Sequence, residues 1–173
     1  MRRPALLAAL GLLAGGITLA ACGGDNVEPV DPVFAAQITG AVNRTAAGES
    51  AYGVVRDGGQ TGFTFVMEDV TGVTIILQKP ATSKPIPGEY EIVPPDEVGP
   101  LGLFRGAARI VVDGGLEVYE ARAGNLIIAE TTPLSLKGNF EFDAVRTSPC
   151  CDPEPVTISV AGTYTAVQGP VAP

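Results

Sequence analysis

Apolar and polar residues alternate with a period of two through most of the chain after Pro32. The clearest stretches are 134–144 and 156–166, where every second residue is apolar or glycine and most residues between them are polar. Successive side chains of a strand point to opposite faces, so this alternation predicts strands with one buried and one solvated face. Turn signals separate these stretches, and none of them keeps the spacing of an amphipathic helix over three turns. The chain is therefore predicted to be all-β, a single antiparallel β-sandwich of nine or ten strands, with a flattened β-barrel as the second choice.

Two Asp-Gly-Gly turns indicate where hairpins lie. Asp57-Gly58-Gly59 and Asp113-Gly114-Gly115 each stand between two alternating stretches, and Asp-Gly supplies the positive φ that tight hairpins need. The strands expected there are 51–56, 62–68, 107–112 and 116–122, and a separate strand is expected at 125–131. The side chains predicted to point into the core include Phe63, Phe65, Met67, Val73, Ile75, Leu77, Leu134, Leu136, Phe140, Phe142, Val156, Ile158, Val160 and Tyr164.

The amino terminus has the features of a secretory signal. Arg2 and Arg3 precede an uncharged apolar run that contains three glycines and is short for the roughly 20 residues of a membrane span. The run ends in Leu19-Ala20-Ala21-Cys22, and a cysteine directly after small residues resembles the lipobox of bacterial lipoproteins. The resemblance implies that the Cys22 thiol carries a diacylglyceryl group, that the chain is cut before Cys22, and that the new amino terminus receives an acyl chain such as palmitate. In an ordinary secretory signal, the alternative, a cysteine at this position would be accidental.

This start divides the chain into four segments. Residues 1–21 are the predicted signal peptide, 22–32 the lipidated cysteine with a flexible tether, 33–168 the β-domain and 169–173 a tail. Ten Gly- and Pro-rich tether residues have an r.m.s. reach of roughly 16–19 Å. Gly23 rather than Asp follows the cysteine, and the lipoprotein resemblance implies from this a location at the outer membrane of a bacterial cell envelope. The β-domain is then expected to face the periplasm or the cell exterior.

The negative net charge and the absence of histidine make nucleic-acid binding, binding to anionic lipid and histidine-dependent catalysis unexpected. Cleavage removes two of the 11 basic residues, so the net charge changes from −8 to −10, and an acidic chain is repelled by nucleic acid and by anionic lipid. Histidine is absent, which removes the usual general base and the commonest metal ligand. The prediction is a non-enzymatic protein without cofactor or metal. Its partners are the membrane, through the anchor, and an unknown protein or small molecule.

The acidic pairs and the tyrosines are interpreted as structural. Glu68-Asp69, Asp96-Glu97 and Asp152-Pro153-Glu154 lie at strand ends or in loops, which is typical of solvated turns rather than of carboxylates paired across a sugar cleft. A weak calcium site at Asp96-Glu97 stays open as an alternative, although the chain has no run of closely spaced oxygen ligands. The four tyrosines are expected in the core or at its edge.

Cys150 and Cys151 are adjacent in the loop between the two clearest strands. Cys22 is taken by the anchor, so no third thiol remains as a partner, and the compartment beyond the inner membrane is oxidising. Three states stay open: a vicinal disulfide in a strained ring, two free thiols, or intermolecular bridges. A soft-metal site is the weakest alternative, because no His or Met stands near the two thiols.

The order of motifs resembles a group of uncharacterised bacterial lipoproteins. Their closing hairpin carries the pattern GxFxFxA followed by GxF, and here the pattern is Gly138-Asn139-Phe140-Glu141-Phe142-Asp143-Ala144 and then Gly162-Thr163-Tyr164. Upstream, Gly88-Glu89-Tyr90 and Gly124-Asn125-Leu126-Ile127-Ile128 are similar to other strands of that group. The resemblance implies a β-sandwich domain of unknown function in the envelope, and the Cys-Cys loop departs from the pattern.

These observations favour a membrane-anchored lipoprotein with a non-catalytic binding or scaffolding β-domain. The alternative is a carrier that holds an apolar small molecule within the β-domain. A contiguous internal cavity would favour the carrier, and a filled core would favour the scaffold. The side chains expected to line such a cavity are Phe63, Phe65, Leu77, Phe140 and Tyr164.

Replacing Cys150 and Cys151 together with Ser is expected to change the thermal midpoint little. A bridge between neighbours closes no long loop, and a disulfide stabilises mainly by restricting a loop of the unfolded chain. Thermal unfolding beside the unsubstituted protein measures the effect, and thiol titration without reductant reports which redox state is present. A fall of many degrees in the midpoint would contradict the structural or incidental role given to the pair.

Overall fold

The structure, a computed structural model, describes residues 30–57, 60–81, 83–97, 102–149 and 153–171. These residues form nine strands and no helix, so the predicted all-β class and strand count are confirmed. Accordingly, no described segment is a helix with the length and apolar character that crossing a membrane requires. The strands are β1 (Val33–Gly40), β2 (Arg44–Asp57), β3 (Gln60–Asp69), β4 (Val73–Pro80), β5 (Gly88–Val93), β6 (Phe104–Val112), β7 (Gly115–Thr131), β8 (Ser135–Ser148) and β9 (Thr157–Gln168).

The nine strands form one sheet that closes on itself. Neighbours follow chain order from β1 to β4, the order continues with β6, β5, β7, β8 and β9, and β9 pairs with β1. The closing pair is antiparallel and runs from Val33 opposite Thr165 to Gly40 opposite Ile158. A closed ring whose opposite walls face each other across a core corresponds to the sandwich or flattened barrel expected from the alternation.

β7 is one strand of 17 residues rather than the two strands expected on either side of Ala123-Gly124. Its first half pairs with β6, its second half pairs with β5, and its register with β8 shifts between Ala121 and Ala123. Gly124 has no room for a side chain, since a Cβ there would lie 2.2 Å from the Glu141 carbonyl oxygen. β7 therefore continues through these small residues while its pairing partner changes from β6 to β5, because the neighbouring strands hold both halves in place.

Aromatic rings fill the interior. The ring centroids of Phe63 and Phe65 lie 5.2 Å apart, and that of Phe65 lies 5.1 Å from Tyr164 on β9. Tyr164 lies 6.4 Å from Phe140 on β8 in turn. These are separations at which aromatic pairs attract each other. Of the fourteen side chains named above as pointing inward, twelve are buried and Val156 is partly buried against the core, so their predicted facing is confirmed. Leu134 is 48% exposed, because it precedes the first residue of β8, and its predicted facing is wrong.

The ring has two ends. The end that we call the entry rim is formed by the starts of β1, β3, β5 and β8 and the ends of β2, β4, β7 and β9. We call the opposite end the far rim.

The far rim includes the β3–β4 turn, where the Asp69 carboxylate accepts hydrogen bonds from the Thr71 hydroxyl and the Val73 amide. Burial raises the pKa of Asp69, but these bonds and the Arg44 charge outweigh it, so the pKa lies below its usual value. Asp69 is therefore a carboxylate that fixes this turn.

Phe140→Ala is expected to lower the free energy of unfolding by roughly 3–5 kcal/mol, because the ring is 2% exposed and its removal leaves a cavity. Lys137→Ala, on the solvated face of the same strand, is expected to cost under about 0.5 kcal/mol. Its ammonium makes only an exposed ion pair, 3.6 Å from Glu130. Urea denaturation of both variants beside the unsubstituted protein measures the difference. Equal shifts of the two midpoints would contradict the facing of β8.

Candidate functional site

The predicted site cysteines lie outside the described residues. Cys22 precedes Val30, the first described residue, and Cys150 and Cys151 follow residue 149, where the described chain is interrupted. Their lipidation and redox state therefore stay predictions. β8 ends and β9 begins at the far rim, whereas β1 begins at the entry rim. The tether and the Cys-Cys loop thus join the ring at opposite ends.

The described acidic pairs lie at a strand end or in loops, as interpreted from the sequence. Glu68 is exposed beside the turn-fixing Asp69, and Asp96-Glu97 is exposed in the loop after β5. Glu154 is exposed, and Asp152 lies outside the described residues. Within the described ranges, no group of three or more His, Cys, Asp or Glu side chains could hold a metal ion.

Arg146, Glu117 and Tyr119 form a charged cluster in the wall, between β7 and β8. Arg146 Nη1 lies 2.7 Å from Glu117 Oε1, and the Tyr119 hydroxyl donates to Glu117 Oε2 at 2.5 Å. Burial, with the hydrogen bond to the Glu117 carboxylate, raises the pKa of Tyr119 to about 12. A phenol that stays protonated beside an ion-paired carboxylate is not a general base at neutral pH. The cluster therefore holds β7 to β8.

β6 begins inside the wall at the entry rim. β4 pairs with β6 as far as Gln78, and β5 pairs with β6 only at Ile92 and Val93. The register of the first pairing places Lys79 opposite Phe104, the first residue of β6. The described residues Gly102 and Leu103 lead into β6, and residues 98–101 lie outside the described chain.

β1 is the other strand that begins inside the wall. It starts at Val33 between β9 and β2. Just beyond that point β2 and β9 pair directly, with Ala51 opposite Val167 and Tyr52 opposite Gln168. The described parts of β4 and β5 make no such pairing beyond the start of β6.

Lys79 points into the ring opposite Phe104, at the start of β6. It continues the inward face of β4 after three apolar residues, and it is only 8% exposed. Its ammonium lies 4.8 Å from the centroid of the Tyr90 ring and 5.3 Å from that of Phe104. Within the described chain the ammonium has neither a hydrogen-bond acceptor nor a carboxylate partner. Burial lowers the pKa of Lys79 below its usual value, because desolvation disfavours the charged form.

A second lysine fixes the segment that runs from β4 to β5 along the entry rim. Lys84 Nζ donates to the Tyr52 hydroxyl at 2.7 Å and to the Thr132 carbonyl at 2.5 Å. The Tyr90 hydroxyl holds the same segment, since it donates to the Ile86 carbonyl at 2.7 Å. These acceptors are neutral, and the described chain places no carboxylate within ion-pair distance of Lys79 or Lys84. Lys84 is therefore held by neutral acceptors, whereas the Lys79 ammonium has only the faces of aromatic rings beside it.

Neither lysine is among the site residues expected from the sequence. The basic residues are scattered along the chain and indicate no basic patch. The position of Lys79 could have indicated it. Residues two apart on a strand face the same side, so Lys79 is predicted to share the inward face of Ile75 and Leu77. Lys84 has no comparable signal, since it lies in a loop and its contacts with Tyr52 and Thr132 join residues far apart in the chain. An inward lysine on an otherwise apolar face is thus the feature that reveals the site.

Comparisons with known proteins give no relative for this site. No family model, curated protein or solved structure matches the chain. The similarity to envelope lipoproteins stays an expectation from the sequence, and the site is interpreted from its own geometry.

Lys79→Met is expected to raise the free energy of unfolding at neutral pH by less than about 1 kcal/mol, because an ammonium without an acceptor is no longer partly desolvated. The lowered pKa means that the folded protein holds this proton less tightly than the unfolded chain does. The unsubstituted protein therefore gains stability as the pH rises toward 10.5, the ordinary lysine value. The titratable group packed against the ammonium is the Tyr90 phenol, which both proteins contain. Denaturant curves at neutral pH and at about pH 10 should show the advantage of the variant shrinking.

Lys137→Met is the matched control, since this lysine is exposed on the outer face of β8. The free energy of unfolding of Lys137→Met should stay close to that of the unsubstituted protein at both pH values. A Lys79→Met variant that is less stable than the unsubstituted protein at neutral pH would show that burial of the ammonium is not a cost.

Proposed function

We propose that this chain is a lipid-anchored protein of the bacterial envelope whose β-domain is a non-catalytic binding or scaffolding module. The anchor is an acylated Cys22, which the lipobox-like Leu19-Ala20-Ala21-Cys22 supports. The tether that follows holds the domain close to the outer membrane, on its periplasmic or external side. Several acyl chains on one cysteine hold a protein far more firmly than the marginal attachment that one chain gives.

The filled interior is the observation that carries the binding or scaffolding role. Phe63, Phe65, Phe140 and Tyr164, which would line a carrier cavity, instead form a continuous series of ring contacts. Leu77, the fifth such residue, is fully buried among the core side chains. Protein interiors packed in this way have little room for a further molecule. A partner is therefore bound at a rim or on an outer face, which favours the module over the carrier.

The outer surface offers room for a partner. A half-open groove of about 720 Å³ lies outside β2 and β3, beside the segment that follows β9. Its lining includes Ala51 and Val66 from the two strands and Pro170 from that segment. This volume falls in the range of known ligand clefts, and the groove needs no rearrangement of the core.

The position of the tether supports an orientation of the domain. The tether leads into β1 at the entry rim, and the eight residues of β1 rise about 26 Å toward the far rim. This distance exceeds the r.m.s. reach of the tether, roughly 16–19 Å, so the far rim seldom meets the bilayer that holds Cys22. The entry rim with Lys79 and Lys84 is thus the end nearer to the membrane.

Intact-mass analysis of the full-length chain, expressed in a bacterium that processes lipoproteins, tests the anchor. The unsubstituted protein is expected in the membrane fraction, with the mass of residues 22–173 plus that of the added lipid. Cys22→Ser is expected to remove the lipid mass and to block cleavage before residue 22. The protein would then accumulate with its signal segment still attached.

The control for this experiment is the double Ser variant of Cys150 and Cys151, which keeps Cys22. It should carry the same added lipid mass as the unsubstituted protein. A soluble mature protein with an unmodified Cys22 would overturn the proposed anchoring.

A further inference from the structure

We propose that the groove outside β2 and β3 binds an extended segment of a partner protein, in which a Lys or Arg stands two residues from an apolar residue. This rests on the binding or scaffolding role proposed above and names the chemistry of the partner. The groove has a volume of about 720 Å³ and is half open, so a segment can lie along it without a change in the core.

The floor of the groove consists of one apolar row and one acidic row. Ala51 lies opposite Val66, and Glu49 lies opposite Glu68. All four side chains point outward, because the residues between them on each strand are buried. Ala51 and Val66 are partly exposed and both glutamates are exposed, so a partner can contact each row.

The two glutamates face each other without a cation among the described residues. The ion pairs of this part of the chain all involve other carboxylates. Like charges directly opposite each other on paired strands are destabilising, and a Lys or Arg side chain from a partner would offset this repulsion. Asp69 also lines the groove, but the β3–β4 turn already uses its carboxylate. Glu49 and Glu68 are therefore the two carboxylates available to a cation.

The segment after β9 forms an apolar wall beside this floor. The Gly169 amide donates a hydrogen bond to the Tyr52 carbonyl at 3.1 Å, which fixes the segment to β2. Gly53 lets the segment approach closely, since a Cβ there would lie 2.7 Å from Val171 Cγ2. Pro170 and Val171 line the groove on this side. An apolar side chain on the floor would therefore meet apolar surface on two sides.

The spacing of the two rows matches an extended segment. Residues two apart on a strand lie about 7 Å apart on the same face. The same distance separates the acidic row from the apolar row, since Glu49 and Ala51 are two apart on β2. A partner in an extended conformation thus presents a Lys or Arg to the glutamates when an apolar residue two positions away packs on Ala51 and Val66.

Charge complementarity favours such a segment over other occupants. Once the predicted cleavage has removed residues 1–21, the residues outside the described ranges contain no Lys or Arg, so they supply no cation to the groove. A second copy of this chain is repelled by its own charge, which is −8 for the full sequence. Nucleic acid and anionic lipid are repelled for the same reason. A partner protein with a basic and apolar segment is therefore the occupant that we expect.

Fluorescence polarisation with the peptide Lys-Thr-Val-Thr-Lys-Thr-Val, labelled with an uncharged dye, tests the proposal. The protein is residues 22–173 with Cys22→Ser, which contains every described residue and carries no lipid. We expect a Kd below about 1 mM, and binding weaker by roughly tenfold or more when Glu replaces both Lys of the peptide. Glu49→Gln combined with Glu68→Gln should weaken binding of the Lys peptide roughly threefold to tenfold, because two exposed ion pairs are lost.

The matched control is Glu89→Gln combined with Glu141→Gln, which removes the same charge from exposed residues of β5 and β8 and should leave binding unchanged. Thermal unfolding shows whether both double variants are folded. Should the groove variant not be folded, Glu68→Gln alone is the second variant, with an expected loss of about twofold to threefold.

Three outcomes would each overturn the proposal. They are equal binding of the Lys and Glu peptides, no binding of the Lys peptide below about 1 mM, and an equal loss of binding in the groove and control variants. The lipid mass on Cys22 is measured separately, and this titration needs no lipid. A failure here is therefore distinguishable from a failure of the proposed anchoring.

Discussion

The antiparallel pairing of β1 with β9 joins the first strand of the domain to the last and turns an open sheet into a ring. An open sheet of nine strands would leave two edges of unpaired backbone groups, which template pairing with other chains. Closure removes those edges and brings Tyr164 of β9, which already packs against Phe140 of the neighbouring β8, to Phe65 of β3. The continuity of the aromatic core across the ring depends on this one pairing.

β1 and β6 both begin inside the wall, but their surroundings differ. β2 pairs with β9 beyond the start of β1, whereas the described parts of β4 and β5 do not pair beyond the start of β6. Lys79 lies opposite Phe104, the first residue of β6, with aromatic rings beside its ammonium. Partial desolvation of an ammonium without an acceptor disfavours the folded state. The strand order around β6 therefore decides the surroundings of this lysine.

Much of the fold follows from local patterns. Alternation predicts the facing of Phe63, Leu77 and Phe140, because the period of two is a property of the extended backbone and needs no tertiary contact. The same pattern misjudges Ala123-Gly124, where two small residues resemble a turn. In the folded chain, β5 and β8 hold residues on both sides of this pair in one strand. Pairing partners far away in the sequence decide such a position, and a window of neighbouring residues does not contain them.

By itself the sequence determined the all-β class, the inward face of each main strand, the acidic charge and the lipobox-like start. Each of these depends on residue identity or on a spacing of two. Only the tertiary structure decided that the sheet closes, that β6 lies between β4 and β5, and that Lys79 lies beside aromatic rings with no carboxylate partner among the described residues. Lys84 likewise meets Tyr52 and Thr132 only because the ring brings β2 and the β7–β8 turn to one rim. Strand order and register set these juxtapositions, and they arise from pairings between residues distant in the chain, which alternation does not encode.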